Sequence, residues 1–329
     1  MGGWGRMATE QTIARHRRMN PNVSRRCTTR WSLWAVLVVI GGFSAVEGRA
    51  QGVPQDERIA FTSEFDGDLF LMDVHTLKVT KKALSLMSIG DLAYSRTLGL
   101  LALTGVRRHD HSRSLFLVPI AGGKLQRISA SFPGGGSPYR PQFDPAGNFV
   151  YAVDYTAGLF RFSLESRQWH RVTVEGAEGL HPQGLSFSSS GRLLAISPGD
   201  FKGFLIVDSA DGHLRLRRQV LADFNSCTSA QWLNESEFVF AGRKLPGLQF
   251  LWLFNIDTGE LRQLTRDPVG SRDFLSVSAS MRQVYFTGSD SSKVLEWAIW
   301  ELPLDTLQPV KLTKMHSEEA FLFPVWLGN

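Results

Sequence analysis

The side chains best suited to chemistry in this chain fall into a few short groups. His109-Asp110-His111 is the tightest, and imidazole and carboxylate groups both bind zinc and related ions. In an extended segment the two histidines share one side while Asp110 points to the other, so further ligands must come from elsewhere. Spacing identifies none. With Arg107, Arg108 and Arg113 nearby, the group reads as a solvated basic loop, and no metal site is predicted. Glu318 and Glu319 could hold a cation or serve as acid and base, but adjacent side chains in a strand face opposite ways. Arg140, His181 and Arg272, with Asp273 beside the last, could form a cationic rim for an acidic group. Nucleophilic catalysis finds little support, since there is no Gly-x-Ser-x-Gly elbow. Gly134-Gly135-Gly136 lies between Pro133 and Ser137-Pro138 and reads as a link rather than a phosphate cradle, so no cofactor is implied.

The elements that must position these groups repeat. Tyr94, Phe143, Phe187, Trp232, Val277 and Trp326 stand third in similar tetrads such as Leu92-Ala93-Tyr94-Ser95 and Leu185-Ser186-Phe187-Ser188, at steps of 49, 44, 45, 45 and 49 residues. Leu84, Ile128, Val172, Val220, Leu264 and Leu312 form a second series at steps of 44, 44, 48, 44 and 48. Between markers the pattern gives four short strands separated by polar turns such as Asp144-Pro145-Ala146-Gly147 and Asp257-Thr258-Gly259-Glu260. No helical period persists beyond Gln51.

Four-stranded units of ~40 to 50 residues indicate a propeller. The predicted fold is all-β: a six-bladed β-propeller of four-stranded blades. Arg58 opens a second strand without a first, whereas Phe321 to Leu327 is a first strand with nothing after it. The C-terminal strand is therefore expected to join the N-terminal blade and close the ring. Regular recurrence of the aromatic marker is what packing between blades requires, so those side chains are assigned to the core.

Composition sharpens the address. The chain of 329 residues carries a formal charge of +5, with a pI near 9.4. Residues 1–50 hold eight basic and two acidic residues, which leaves 28 basic and 29 acidic residues from 51 onward. The basic excess therefore gives no reason to expect nucleic-acid binding. Arg25, Arg26 and Arg30 precede an uncharged run from Trp31 to Val46, and Gly48 and Ala50 suit a cut before Gln51, the layout of a secretory signal peptide. The run is shorter than the ~20 apolar residues of a spanning helix, so the cleaved protein is not expected to be integral to a membrane. Met1, Met7 and Met19 are alternative starts. The expected organisation is an extension and signal over 1–50 and a propeller over 51–329, periplasmic or secreted. Cys227 is then a single cysteine without a disulfide partner.

Arg58-Ile59-Ala60-Phe61-Thr62-Ser63 followed by Asp66-Gly67-Asp68-Leu69-Phe70-Leu71-Met72-Asp73 resembles the WD40-like repeat of the TolB propeller family, as does Asp257-Thr258-Gly259-Glu260-Leu261-Arg262-Gln263-Leu264-Thr265. The resemblance implies a propeller in a periplasmic setting. It lacks TolB's preceding α/β domain, with about seven residues between the expected cut and the first strand.

In such a fold the first strands line a central channel, and the loops entering them form its upper face. That face is expected to present Arg107 to Arg113, then Arg140, His181 and Cys227 from successive entrances, then Arg272, Asp273, Glu318 and Glu319. The candidate binding residues are Arg140, His181, Arg272, Asp273, Glu319, His109 and His111. The expected function is non-catalytic binding of a protein partner or small ligand at this face. The alternative is a propeller enzyme of the metal-dependent lactonase or quinone-dependent sugar dehydrogenase kind. A calcium site needs about six oxygen ligands. Asp91, Asp273, Glu319 and Asn225 are mixed with Arg140 and Arg272, whose charges oppose a divalent cation, and the mixture favours binding.

Overall fold

The structure, a computed structural model, describes residues 57–63, 67–110, 112–210, 212–244, 249–266, 269–290, 297–313 and 321–328, with the backbone alone at 269–273 and 290. The signal segment, His111, Glu318 and Glu319 lie outside the described residues.

Alternating apolar residues give strands whose two faces are both buried, and the strands assemble into six sheets, antiparallel apart from one short parallel pair in the fourth. From the inside outward, the second blade contains Leu86–Ser95, Leu100–Arg107, Arg113–Pro119 and Gln126–Arg127. The third, fourth, fifth and sixth blades begin on Tyr139–Phe143, Pro182–Phe187, Ser226–Trp232 and Val269–Ser278. The first blade takes its innermost strand, Phe321–Trp326, from the far end of the chain and adds Arg58–Ser63, Asp68–Asp73 and Val79–Ala83. Ile59 pairs with Trp326 and Ala60 with Val325, so the ring closes as the sequence pattern requires.

Six apolar clusters, each shared by two neighbouring blades, hold the ring together. Period-two alternation sends Leu101 and Leu103 toward the first blade and Ala102 toward the third. Leu194 and Ile196 likewise face the third blade, whereas Leu193 and Ala195 face the fifth. The closing junction is of the same kind: Ile59, Phe61 and Met72 pack with Tyr285, Ile299 and Trp326. Four of the five aromatic markers behave as blade packing demands, while Tyr94 is partly buried against the junction of the first and second blades and also lines the central cavity. Phe143, Phe187, Trp232 and Trp326 are buried, and Trp326 stacks on Tyr285 at 5.3 Å.

Polar links reinforce these seams. The Trp232 indole donates to the Ser186 carbonyl at 2.9 Å, and the Ser276 hydroxyl accepts from the Trp326 amide at 2.8 Å. Glu235 of the fifth blade reaches the Ser188-Ser189-Ser190 turn of the fourth. One of its oxygens accepts from Ser188 Oγ at 2.8 Å and Ser190 Oγ at 2.7 Å, and the other from Ser189 Oγ at 2.6 Å and the Ser190 amide at 2.7 Å. Burial opposes the charge, but the serine donors outweigh it and hold the carboxyl at about 2.

The fourth strands of the blades share a charge pattern. Val79–Ala83, Gln126–Arg127, Trp169–Val172, His213–Val220, Leu261–Gln263 and Val310–Lys311 each carry Lys or Arg, and none contains Asp or Glu. Among the described residues only the fourth blade gains a further strand outside these, where Val174–Glu175 runs parallel to Leu214 and Arg215 and brings an acidic residue to that edge. Among the described residues no helix is long and apolar enough to cross a membrane.

Candidate functional site at the channel mouth

The six innermost strands surround a central cavity of about 230 Å³. Each of these strands loses register with its neighbour at a comparable place, between Ile89 and Leu92, Tyr139 and Gln142, Pro182 and Gly184, Thr228 and Gln231, Ser271 and Leu275, and opposite Ala60–Thr62 in the closing strand, and Leu86–Ser95 has a second shift between Leu86 and Ser88. A bulge of this kind re-aims a side chain that the regular pleat would direct elsewhere. Counting three residues back from each aromatic marker gives Asp91, Arg140, Gly184, Ser229, Phe274 and Phe323, and all six line the cavity. Arg140, Ser229 and Phe323 hold the same unusual backbone, with φ of 49°, 52° and 57°. The mouth of the channel is thus a tier of bulge residues, one from each blade.

Arg140 organises the tier. Its amide donates to Asp91 Oδ2 at 3.1 Å, and its Nε lies 3.5 Å from Asp91 Oδ1. The guanidinium lies over the Phe274 ring at 4.6 Å, and Nη1 donates to Ser229 Oγ at 3.5 Å. Phe274 and Phe323 meet at 3.8 Å between ring centres and form an apolar wall from the sixth and first blades. One side chain from the third blade therefore touches the second, fifth and sixth. Burial raises the Tyr155 hydroxyl above its ordinary value, and the neighbouring Arg140 guanidinium pulls against that rise.

Behind the tier, the Thr104 hydroxyl donates to Asp91 Oδ2 at 3.3 Å and accepts from Arg113 Nη1 at 3.2 Å. Gly90 makes room for this arrangement, because a Cβ there would fall 2.2 Å from Arg113 Nη1. Arg113, expected at the upper face, is a support for Asp91 and also packs on Tyr139 at 5.2 Å.

Arg140 is the candidate residue whose side chain is placed in the cavity. His181 is exposed and does not line it. Its expected equivalence to Arg140 fails on register, because the fourth blade puts Gly184 at that position. Arg272 and Asp273 lie within the bulge of Val269–Ser278, and their side chains are outside the described residues. His109 is exposed and lines a separate cavity with Arg107, Arg108 and Leu125, while Asp110 pairs with Arg127 at 3.2 Å. Among the described residues no three His, Cys, Asp or Glu side chains converge as metal ligands. Cys227, expected at an entrance, is instead fully buried between the fourth and fifth blades among Phe224, Phe240 and Trp232. Burial pushes its thiol up to about 12, which makes it an inert core residue.

Sequence reasoning missed Ser229, Phe274 and Phe323. The repeat itself held the signal: the position three before the marker shares a location in all six units while its chemistry varies from Asp91 and Arg140 to Gly184, Ser229, Phe274 and Phe323.

Comparison with known proteins bears on the architecture. The family described as the dipeptidyl peptidase IV N-terminal region matches residues 218–325, about a third of the chain. No curated protein sequence matches. A structure of TolB from Acinetobacter baumannii superposes with a TM-score of 0.66 at 16% identity, covering 84% of this chain and 68% of that one. A structure of a nidogen/laminin complex gives 0.61 at 14% identity, covering 82% and 98%. At such identities the likeness is one of fold, and the fold is that of a TolB-like six-bladed β-propeller.

Proposed function

We propose that this chain is an exported, non-catalytic binding module that engages a protein partner of the cell envelope at the channel mouth. The observation that carries the reading is the Arg140 tier: a guanidinium seated on Asp91 and Phe274, with the half-buried Phe274 and Phe323 rings in contact beside it. A fixed cationic fork beside an apolar wall is recognition chemistry. The one hydroxyl in the tier, Ser229, faces the guanidinium, which cannot take up its proton, so it is not set up as a nucleophile. Export is supported by the basic, apolar and small-residue layout of residues 1–50. A protein partner accords with the nidogen/laminin structure, in which a similar fold occurs within a complex of two proteins.

The test is affinity capture from an envelope extract with the chain and with an Arg140→Gln/Arg272→Gln variant. Glutamine is preferred to glutamate because a second carboxylate beside Asp91 would repel it. A partner retained by the parent chain and lost by the folded variant supports the reading. Equal capture by both moves the interface away from the mouth.

A further inference from the structure

We propose that the central cavity binds one neutral pyranose ring, a sugar whose hydroxyls are taken by the amides of Gln142, Gln183 and Gln231 and whose C–H face lies against Phe323 and Tyr94. This deepens the reading of the channel as a binding site, on which it rests, by giving the cavity beneath the mouth its own class of ligand.

Charge selects a neutral occupant. Among the described residues the charged side chains lining the cavity are Asp91 and Arg140, and they pair with each other. Arg140 is held further by Ser229, Tyr155 and the Phe274 ring, and Asp91 by Thr104. Both charges are spent on the protein, so a charged ligand would shed its water and find no counter-ion in return.

The amides are not spent. Gln142, Gln183 and Gln231 line the cavity from the third, fourth and fifth blades, and among the described residues their side chains make no hydrogen bond to the protein. All three are half-buried, and none of their polar atoms is sealed away without a partner, so the amides open on the space they line. Each offers a carbonyl oxygen and two N–H donors. A hydroxyl is donor and acceptor at once, so an array of hydroxyls meets such a set on both counts. A wholly apolar ligand would strip water from the amides and return nothing.

The other half of the ring is aromatic. Phe274, Phe323 and Tyr94 line the cavity from the sixth, first and second blades, which are consecutive around the closed ring. Phe274 carries the Arg140 guanidinium, which leaves the contact to Phe323 and Tyr94. The negative face of an aromatic ring takes up the slightly positive C–H groups on the flat side of a pyranose. An amide arc facing an aromatic arc thus matches a ring that is polar at its edge and apolar on its face.

Size sets the number of rings at one. A volume of about 230 Å³ falls below the ~300–1,000 Å³ of sites for drug-sized ligands and holds roughly eight waters at ~30 Å³ each. Gly184 contributes to that space, because a Cβ there would meet nothing within 4 Å.

Isothermal titration of the full chain with D-glucose, D-galactose and D-mannose tests the proposal, with D-glucuronate and cyclohexanol as controls. At least one hexose should bind saturably with a Kd of about 1 mM or below, and both controls about tenfold more weakly or worse. Gln142→Leu/Gln231→Leu should weaken the best hexose about tenfold or more while melting as the parent does, since these amides support no other group. Gly184→Leu fills the cavity without touching the amides and should abolish binding. A free sugar and the end of a longer glycan share this chemistry: tighter binding of a disaccharide of the best hexose marks a glycan end, and weaker binding a free sugar. No saturable hexose binding, glucuronate or cyclohexanol binding as well as the best hexose, or full binding by either variant would each overturn the assignment. Absent hexose binding alongside mouth-dependent partner capture would overturn the cavity and leave the interaction face standing. Hexose binding without such capture would do the reverse.

Discussion

Glu235 offers a test of how the blades are joined. Its carboxylate accepts four hydrogen bonds from the serine turn of the neighbouring blade and titrates at about 2 rather than at its ordinary 4.5. At ~1.4 kcal/mol per tenfold, that difference would amount to roughly 3 kcal/mol of stability if fully shielded. Ser189 and Ser190 are exposed, and solvent screening reduces the figure to about 1–2 kcal/mol. Glu235→Ala should therefore lower the melting temperature at neutral pH by roughly 3–6 °C. Because the folded-state pKa is depressed, the stabilisation is present in full above 4.5 and fades as pH falls toward 2. Parent and variant should accordingly converge in acid. Denaturant unfolding followed by tryptophan fluorescence at pH 7, 4 and 2.5 measures the gap directly. Identical stability at pH 7 would refute the reasoning, as would a gap that stays constant down to pH 2.5.

Removing Pro324 to Asn329 takes Trp326 out of the closing junction, and loss of that buried side chain alone costs about 3–5 kcal/mol, so the truncated chain should melt far below the parent in calorimetry. Cys227 should resist a thiol reagent such as dithionitrobenzoate in the native protein and react only after denaturant is added; rapid native labelling would contradict its burial. Calcium and chelator should give the same melting temperature, since both Asp91 oxygens are engaged by Arg140 and Thr104, and a large calcium-dependent rise would favour the enzyme alternative. Mass spectrometry of exported protein should place the N-terminus at or near Gln51, whereas an intact Trp31 to Val46 segment would remove the signal-peptide reading.

The blades were legible because packing constrains them. Each unit must present apolar residues to both neighbours, so Leu101, Leu194 and Phe238 recur at matching places, and the count of units and the closing strand follow from the same periodicity. The mouth was less legible for the opposite reason. Positions such as Gly184, Ser229 and Phe323 face a cavity rather than a neighbouring sheet, so no rule of packing makes them alike. The bulges add a second difficulty: one extra residue reverses which side chains point inward, and a strictly alternating reading misplaces everything beyond it. Cys227 and His181 are misplaced for a simpler reason: they stand five and six residues before Trp232 and Phe187, whereas Arg140 stands three before Phe143, so the three positions are not equivalent.

The basic fourth strands of the blades bear on how copies of this protein meet one another. Residues 51–329 carry almost balanced charge, a condition that ordinarily favours association and precipitation. Because the perimeter collects cations such as Lys82, Arg171, Arg217 and Arg218, two molecules approaching rim to rim encounter like charges at the unpaired backbone edges through which sheets would otherwise merge. The charge that is missing from the total is thus present where it controls crystallisation, storage and crowding. Its screening over a Debye length of about 10 Å at 0.1 M salt makes ionic strength the setting that decides whether the rings stay apart.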